Sequence, residues 1–137
     1  MSLFTLRGDA RLRAVTLLHP SAHAFNVAVP SRTADELRRQ GANQGAIISV
    51  SGYFATLTIV GGRMLLYRGG TQPHLVADLV VESIDEDLVD NGQGTWLPAI
   101  VVTASDGAAR LGFYPRKAGL IPDAAKVRGI VAALRDS

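Results

Sequence analysis

Gly61 and Gly62 lie between two short runs, residues 54–60 and 63–68, that read as β-strands. In the first run Ala55, Leu57 and Ile59 alternate with Thr56 and Thr58, the period of two that a pleated strand imposes. A two-residue connection between antiparallel strands needs positive backbone angles, which glycine adopts without steric cost. This hairpin commits the middle of the chain to antiparallel sheet. A second hairpin signal is Asp106-Gly107, set between the apolar runs 99–104 and 109–113.

The remaining segments are read around these hairpins. Residues 75–81 alternate again, with Leu75, Ala77, Leu79 and Val81 on one side, and residues 83–89 form a weaker run interrupted by acids. Residues 90–97 read as a loop through Asn91-Gly92 and Gly94. Upstream, residues 46–50 form one more short apolar run. Residues 11–18 and 23–29, separated by Pro20-Ser21-Ala22, read as a hairpin or as two consecutive strands. Pro30-Ser31 then opens a short helix, with Thr33 and Glu36 at capping-box spacing and Gly41 at its end. The last segment is helical: Pro122 suits a first turn, and Val127, Ile130, Val131 and Leu134 fall on one face.

From about residue 46 this gives up to seven short strands and one amphipathic helix. A bent antiparallel sheet that forms a partly open barrel needs its end plugged, and a helix with one apolar face can do that. The expected fold class is mainly β with some α. An antiparallel barrel or bent sheet capped by a C-terminal helix occupies residues 46–135, preceded by an N-terminal strand-helix extension over 1–45, all in one domain of 137 residues. Leu57, Ile59, Leu79, Leu111, Phe113, Val127, Ile130 and Leu134 are expected to share its core.

A chain of this length with 47% hydrophobic residues can fold without staples. It contains no cysteine, which excludes disulfides, zinc–cysteine sites, iron–sulfur clusters and cysteine nucleophiles. No stretch approaches the roughly 18 apolar residues of a membrane span, and residues 1–9 lack the apolar core of a signal peptide. The expected location is cytoplasmic. The net charge of +2 is unevenly spread. Residues 1–68 hold eight Arg against Asp9, Asp35 and Glu36; residues 69–109 hold seven acids and no Lys or Arg; residues 110–137 hold six basic residues against Asp123 and Asp136. Basic residues are not clustered with aromatics as nucleic-acid binding requires, and the acidic middle opposes it. No nucleic-acid partner is expected.

Motifs for chemistry are lacking. His19 and His23 are four apart, but Pro20 opposes a helix there and His74 is the only other histidine, so no metal site is expected. The glycine pairs lie between strands, whereas phosphate loops open helices. No Gly-x-Ser-x-Gly is present to suggest a hydrolase. Asp85, Glu86, Asp87 and Asp90, with Asp78 and Glu82 before them, read as an acidic strand edge that blocks unwanted pairing, or as a site for a basic partner. Trp96, the single tryptophan, lies in the 90–97 loop; it either covers the barrel end or projects as an anchor for a partner.

Seven strands and a closing helix is also the order of pleckstrin-homology-like domains. FATLTIVGGRMLLYRGG resembles the early hairpin of bacterial members and of GRAM domains. HLVADLVVESIDEDLV resembles the strand that follows, AIVVTASDGAARLGFYP the late hairpin, and PDAAKVRGIVAAL the closing helix. The resemblance spans roughly residues 46–135. It implies a module that binds rather than catalyses. Some members hold phosphoinositides through basic residues around the first hairpin loop. Here only Arg63 and Arg68 lie near that loop, too sparse for a multiply charged headgroup. A membrane surface is therefore not the favoured partner. The expected function is a non-catalytic binding or assembly module, with no cofactor, that contacts another protein or a second copy of itself. Trp96, Asp85, Asp87, Asp90, Arg63 and Arg68 are its candidate contact residues. A small split-barrel flavin enzyme and a peripheral binder of anionic lipid are the alternatives.

Overall fold

In the computed structural model, residues 3–40, 52–91, 94–105, 107, 109–116 and 123–136 are described. Among them the order is α1 (Leu3–Leu18), β1 (Ala24–Val29), α2 (Ser31–Arg39), β2 (Tyr53–Val60), β3 (Arg63–Arg68), β4 (His74–Asp90), β5 (Trp96–Ala104), β6 (Arg110–Pro115) and α3 (Ala124–Arg135). The six strands run antiparallel in chain order and close into a barrel. Closure removes the exposed sheet edges that invite aggregation.

The two hairpins form where glycine places them. Gly61 and Gly62 both have positive φ, 58° and 76°, and Val60 faces Arg63 across the turn. Gly107 also has positive φ, between β5 and β6. The segments expected as two runs, 75–81 and 83–89, are one strand. A register shift between Val81 and Ser83 lets β4 leave its pairing with β3 and continue along β5. Such a bulge bends a strand without ending it. Asp90 and Trp96 face one another at the far end of that pairing, so the ends of the expected 90–97 loop, Asp90, Trp96 and Leu97, belong to strands, while Asn91, Gly94 and Thr95 lie between them outside any strand. Residues 46–50, Gly41 and Pro122 lie outside the described residues.

The N-terminal segment departs most from expectation. Residues 11–18 are helix, continuous with residues 3–10. Leu, Arg and Ala dominate this stretch, and all three favour helix over strand. Its buried stripe is Gly8, Arg11 and Val15, spaced at helical intervals but containing a glycine and an arginine. No apolar periodicity therefore marks it. The strand of the N-terminal segment is β1, which is a stave of the barrel: it pairs with β2 along its length and closes on β6 through Val27 with Pro115 and Ala28 with Tyr114. In α2 the cap is Pro30, without a side-chain bond, and the Thr33 hydroxyl donates to the Gly112 carbonyl at 2.5 Å. The capping box is thus replaced by a tertiary bond that holds α2 on β6.

One core fills the barrel. Leu57, Ile59, Leu111, Phe113, Val127, Ile130 and Leu134 belong to it, with Leu79 packed at its margin. Ala34 and Leu37 of α2 join the same cluster. The helix α3 begins at Asp123, whose carboxylate accepts from the Ala125 N–H at 2.9 Å. Arg135 ties its last turn to β4 by donating to the Ile84 carbonyl at 2.6 Å. A small separate cluster of Val15, Leu65 and Tyr67 lies under α1 on the barrel exterior. Both faces of β2 are consequently buried, with Thr56 and Thr58 fully enclosed. Among the described residues no helix is long and apolar enough to cross a membrane.

Because Ile130 packs with the barrel interior, Ile130→Ala is expected to cost about 2–5 kcal/mol. Urea unfolding measures it, and a loss below about 0.5 kcal/mol would mean that α3 does not contribute to the core.

Candidate functional site

Four arginines converge beside the start of β2 and the end of β3, at the opposite end of that hairpin from its Gly61-Gly62 turn. Arg7 and Arg11 come from α1, one helical turn apart and so on one face. Arg68 ends β3, and Arg116 follows β6. They line a cavity of about 820 Å³ with Val29, Pro30, Tyr53, Phe54, His74 and Tyr114 among its other walls. Among the described residues no carboxylate lines it.

The aromatic walls orient two of these cations. The Arg68 guanidinium lies over the Tyr53 ring and that of Arg116 over the Phe54 ring, each with its carbon 4.3 Å from the ring centroid. Stacking of this kind holds the planar group against the ring face. Tyr114 is fixed by donating its hydroxyl proton to the Val89 carbonyl at 2.6 Å; burial and the nearby Asp90 raise its pKa.

Arg11 is the centre of the site. It is 4% exposed. Its Nε donates to Thr56 Oγ1 at 2.7 Å and its Nη1 to the Gly69 carbonyl at 3.0 Å. Gly69 has a φ of 99°, a geometry that favours glycine and turns the chain beside the helix. Thr56 in turn donates to Asn26 Oδ1 at 2.7 Å, and Asn26 Nδ2 donates to the Gly8 carbonyl at 3.1 Å. This chain of bonds clamps α1 to β1 and β2. Among the described residues the Arg11 Nη2 has no hydrogen-bond partner. Burial lowers the Arg11 pKa to about 10, and repulsion from Arg116, Arg68 and Arg7 adds to the effect. Arg11 therefore stays charged at neutral pH, in a place that opposes its charge. A perturbed group that lines a cleft is a functional-site candidate.

The residues singled out from sequence separate. Arg68 is in the pocket. Arg63, on the same strand, points elsewhere and pairs with Asp78 at 2.7 Å. Asp85 pairs with Arg135 at 2.7 Å and Asp87 with Arg110 at 2.9 Å. The Arg110 hydrogen bond, with one from the Leu88 N–H, lowers the Asp87 pKa. Asp90 lies 4.0 Å from Arg32. The acidic run is thus matched by arginines from α2, β6 and α3, which no local reading of the sequence could supply. Asp90 and Trp96 do come together, along a groove of about 530 Å³ that Arg32 and Arg110 also line. Trp96 is 60% exposed and does not cover the barrel end. His19 bonds the Tyr67 hydroxyl at 2.9 Å.

Sequence reading missed Arg7, Arg11 and Arg116. The spacing of four between Arg7 and Arg11 carries the signal, but only once residues 3–18 are taken as helix. Comparison with known protein families, with characterised proteins and with solved structures finds no match to this chain. The site is therefore read from its own geometry.

Thr56→Val keeps the side-chain volume but removes the acceptor of Arg11 and the donor to Asn26. A cost of about 1–3 kcal/mol is expected from the buried groups left unpaired, read as a lower urea midpoint. A change under about 0.5 kcal/mol would show that this chain does not hold α1 in place.

Proposed function

We propose that this chain is a non-catalytic binding module whose arginine pocket holds the anionic end of a small molecule. The observation that carries the reading is the buried Arg11 guanidinium, with one nitrogen unpartnered and three further arginines beside it. A buried cation without a counter-charge is costly, and a bound anion offsets that cost. The cavity volume lies within the range of small-molecule sites, and its mixture of apolar walls and a few convergent donors is typical of them. A ligand that binds only the folded state raises its stability with concentration. Benzoate or phenyl phosphate, added against chloride at matched ionic strength, should raise the melting temperature. Arg68→Gln should abolish the rise, and Arg63→Gln, outside the pocket, should preserve it. No shift with either anion would end this reading.

The groove at Trp96 supports a second reading, contact with another protein or a second copy of the chain. Trp96 and Leu88, 60% and 54% exposed, flank the same β4–β5 end. Tryptophan is enriched among interface anchors. If the chain self-associates through this groove, sedimentation should show concentration-dependent dimers. Trp96→Ala should then weaken them by about 2 kcal/mol or more with little change in monomer stability. Dimers of unchanged affinity in the variant would remove Trp96 from the interface.

A further inference from the structure

Arg7 and Arg11 from α1, Arg68 from the end of β3 and Arg116 just after β6 line one pocket, and Arg7, Arg68 and Arg116 lie near enough to Arg11 to repel its charge. A carboxylate presents two oxygens in one plane and a single charge, too few for this arrangement. A phosphate monoester presents three acceptor oxygens and about −1.5 to −2 charge near neutral pH, and guanidinium forks match its oxygens in bidentate pairs. The space exceeds what the phosphate group alone would fill, and Val29, Pro30, Tyr53, Phe54 and Tyr114 give it an apolar side.

We infer that the ligand is a soluble phosphate monoester carried on an apolar or aromatic body; this rests on the pocket being an anion site. Arg7, Arg11, Arg68 and Arg116 hold the phosphate, and the aromatic and aliphatic walls hold the body. Arg68 and Arg116 serve both ends, since each is stacked on a ring that lines the pocket.

Calorimetry with phenyl phosphate, benzoate and inorganic phosphate at matched ionic strength tests this. Phenyl phosphate is expected to bind at least about tenfold more tightly than either of the others. Its advantage over benzoate should grow from about pH 5 to about pH 7.5, because the second phosphate ionisation lies near pH 6. Benzoate remains ionised across that range and reports the titration of the pocket itself, where His74, Tyr53 and Tyr114 stand with the four arginines. Arg7→Gln and Arg68→Gln should each reduce phenyl phosphate affinity tenfold or more, whereas Arg63→Gln should not. Melting temperatures of the variants separate lost binding from lost folding. Benzoate binding as tightly as phenyl phosphate, or an advantage that is flat with pH, overturns the phosphate inference and leaves an anion pocket standing. Inorganic phosphate binding as tightly as phenyl phosphate overturns the apolar body. Capture by vesicles containing phosphatidic acid, without binding of phenyl phosphate, overturns the soluble ligand in favour of a membrane surface. Binding of none of these probes overturns both the inference and the reading beneath it.

Discussion

The buried guanidinium of Arg11 is the contact on which the helix α1, the barrel exterior and the pocket all depend. Two of its nitrogens bond Thr56 and Gly69, and through Thr56 and Asn26 the bond chain returns to the helix backbone at Gly8. Charge-assisted bonds are worth about 1.5–3 kcal/mol each, whereas burying an ion costs several kcal/mol even after relaxation. The clamp therefore holds α1 but does not neutralise Arg11. The uncancelled charge is what makes the cavity attractive to an anion, and it is set by the same residue that docks the helix.

Charge is sorted by the fold rather than by the sequence. The acidic strand β4 takes arginines from its surroundings: Arg63 for Asp78, Arg135 for Asp85, Arg128 for Glu86, Arg110 for Asp87 and Arg32 for Asp90. These pairs are mostly exposed, and each contributes little stability. Their consequence is electrostatic. They satisfy the acids with basic residues from one set of positions, while Arg7, Arg11 and Arg68 face a cavity that no described carboxylate lines. An overall charge near balance thus coexists with a concentrated positive site.

The same division runs through the apolar residues. Ala55, Leu57 and Ile59 point into the barrel and could be read from their alternation. Thr56 and Thr58, on the other face of β2, look like solvent-facing residues, yet α1 and β1 bury them. Threonine is suited to that place because its hydroxyl can both accept and donate, as Thr56 does. A face that is polar in composition is here an interior surface between a helix and a barrel.

Local chemistry determined the hairpins, because only glycine takes the backbone angles at Gly61 and Gly62 at no cost, and it determined α3, because Val127, Ile130, Val131 and Leu134 repeat at the helical period. The antiparallel barrel and the shared core followed from those periods. The Leu, Arg and Ala of residues 3–18 favour helix, but tertiary structure alone decided that this helix docks with an arginine on its buried face, since that stripe has no apolar pattern to read. It decided that β1 closes the barrel and that β4 bends through a bulge instead of ending. It decided which arginines meet acids and which meet one another. A periodicity records the burial of apolar side chains along one element; the meeting of Arg7, Arg11, Arg68 and Arg116, drawn from three elements across more than a hundred residues of chain, leaves no such record, because it exists only once the barrel has closed.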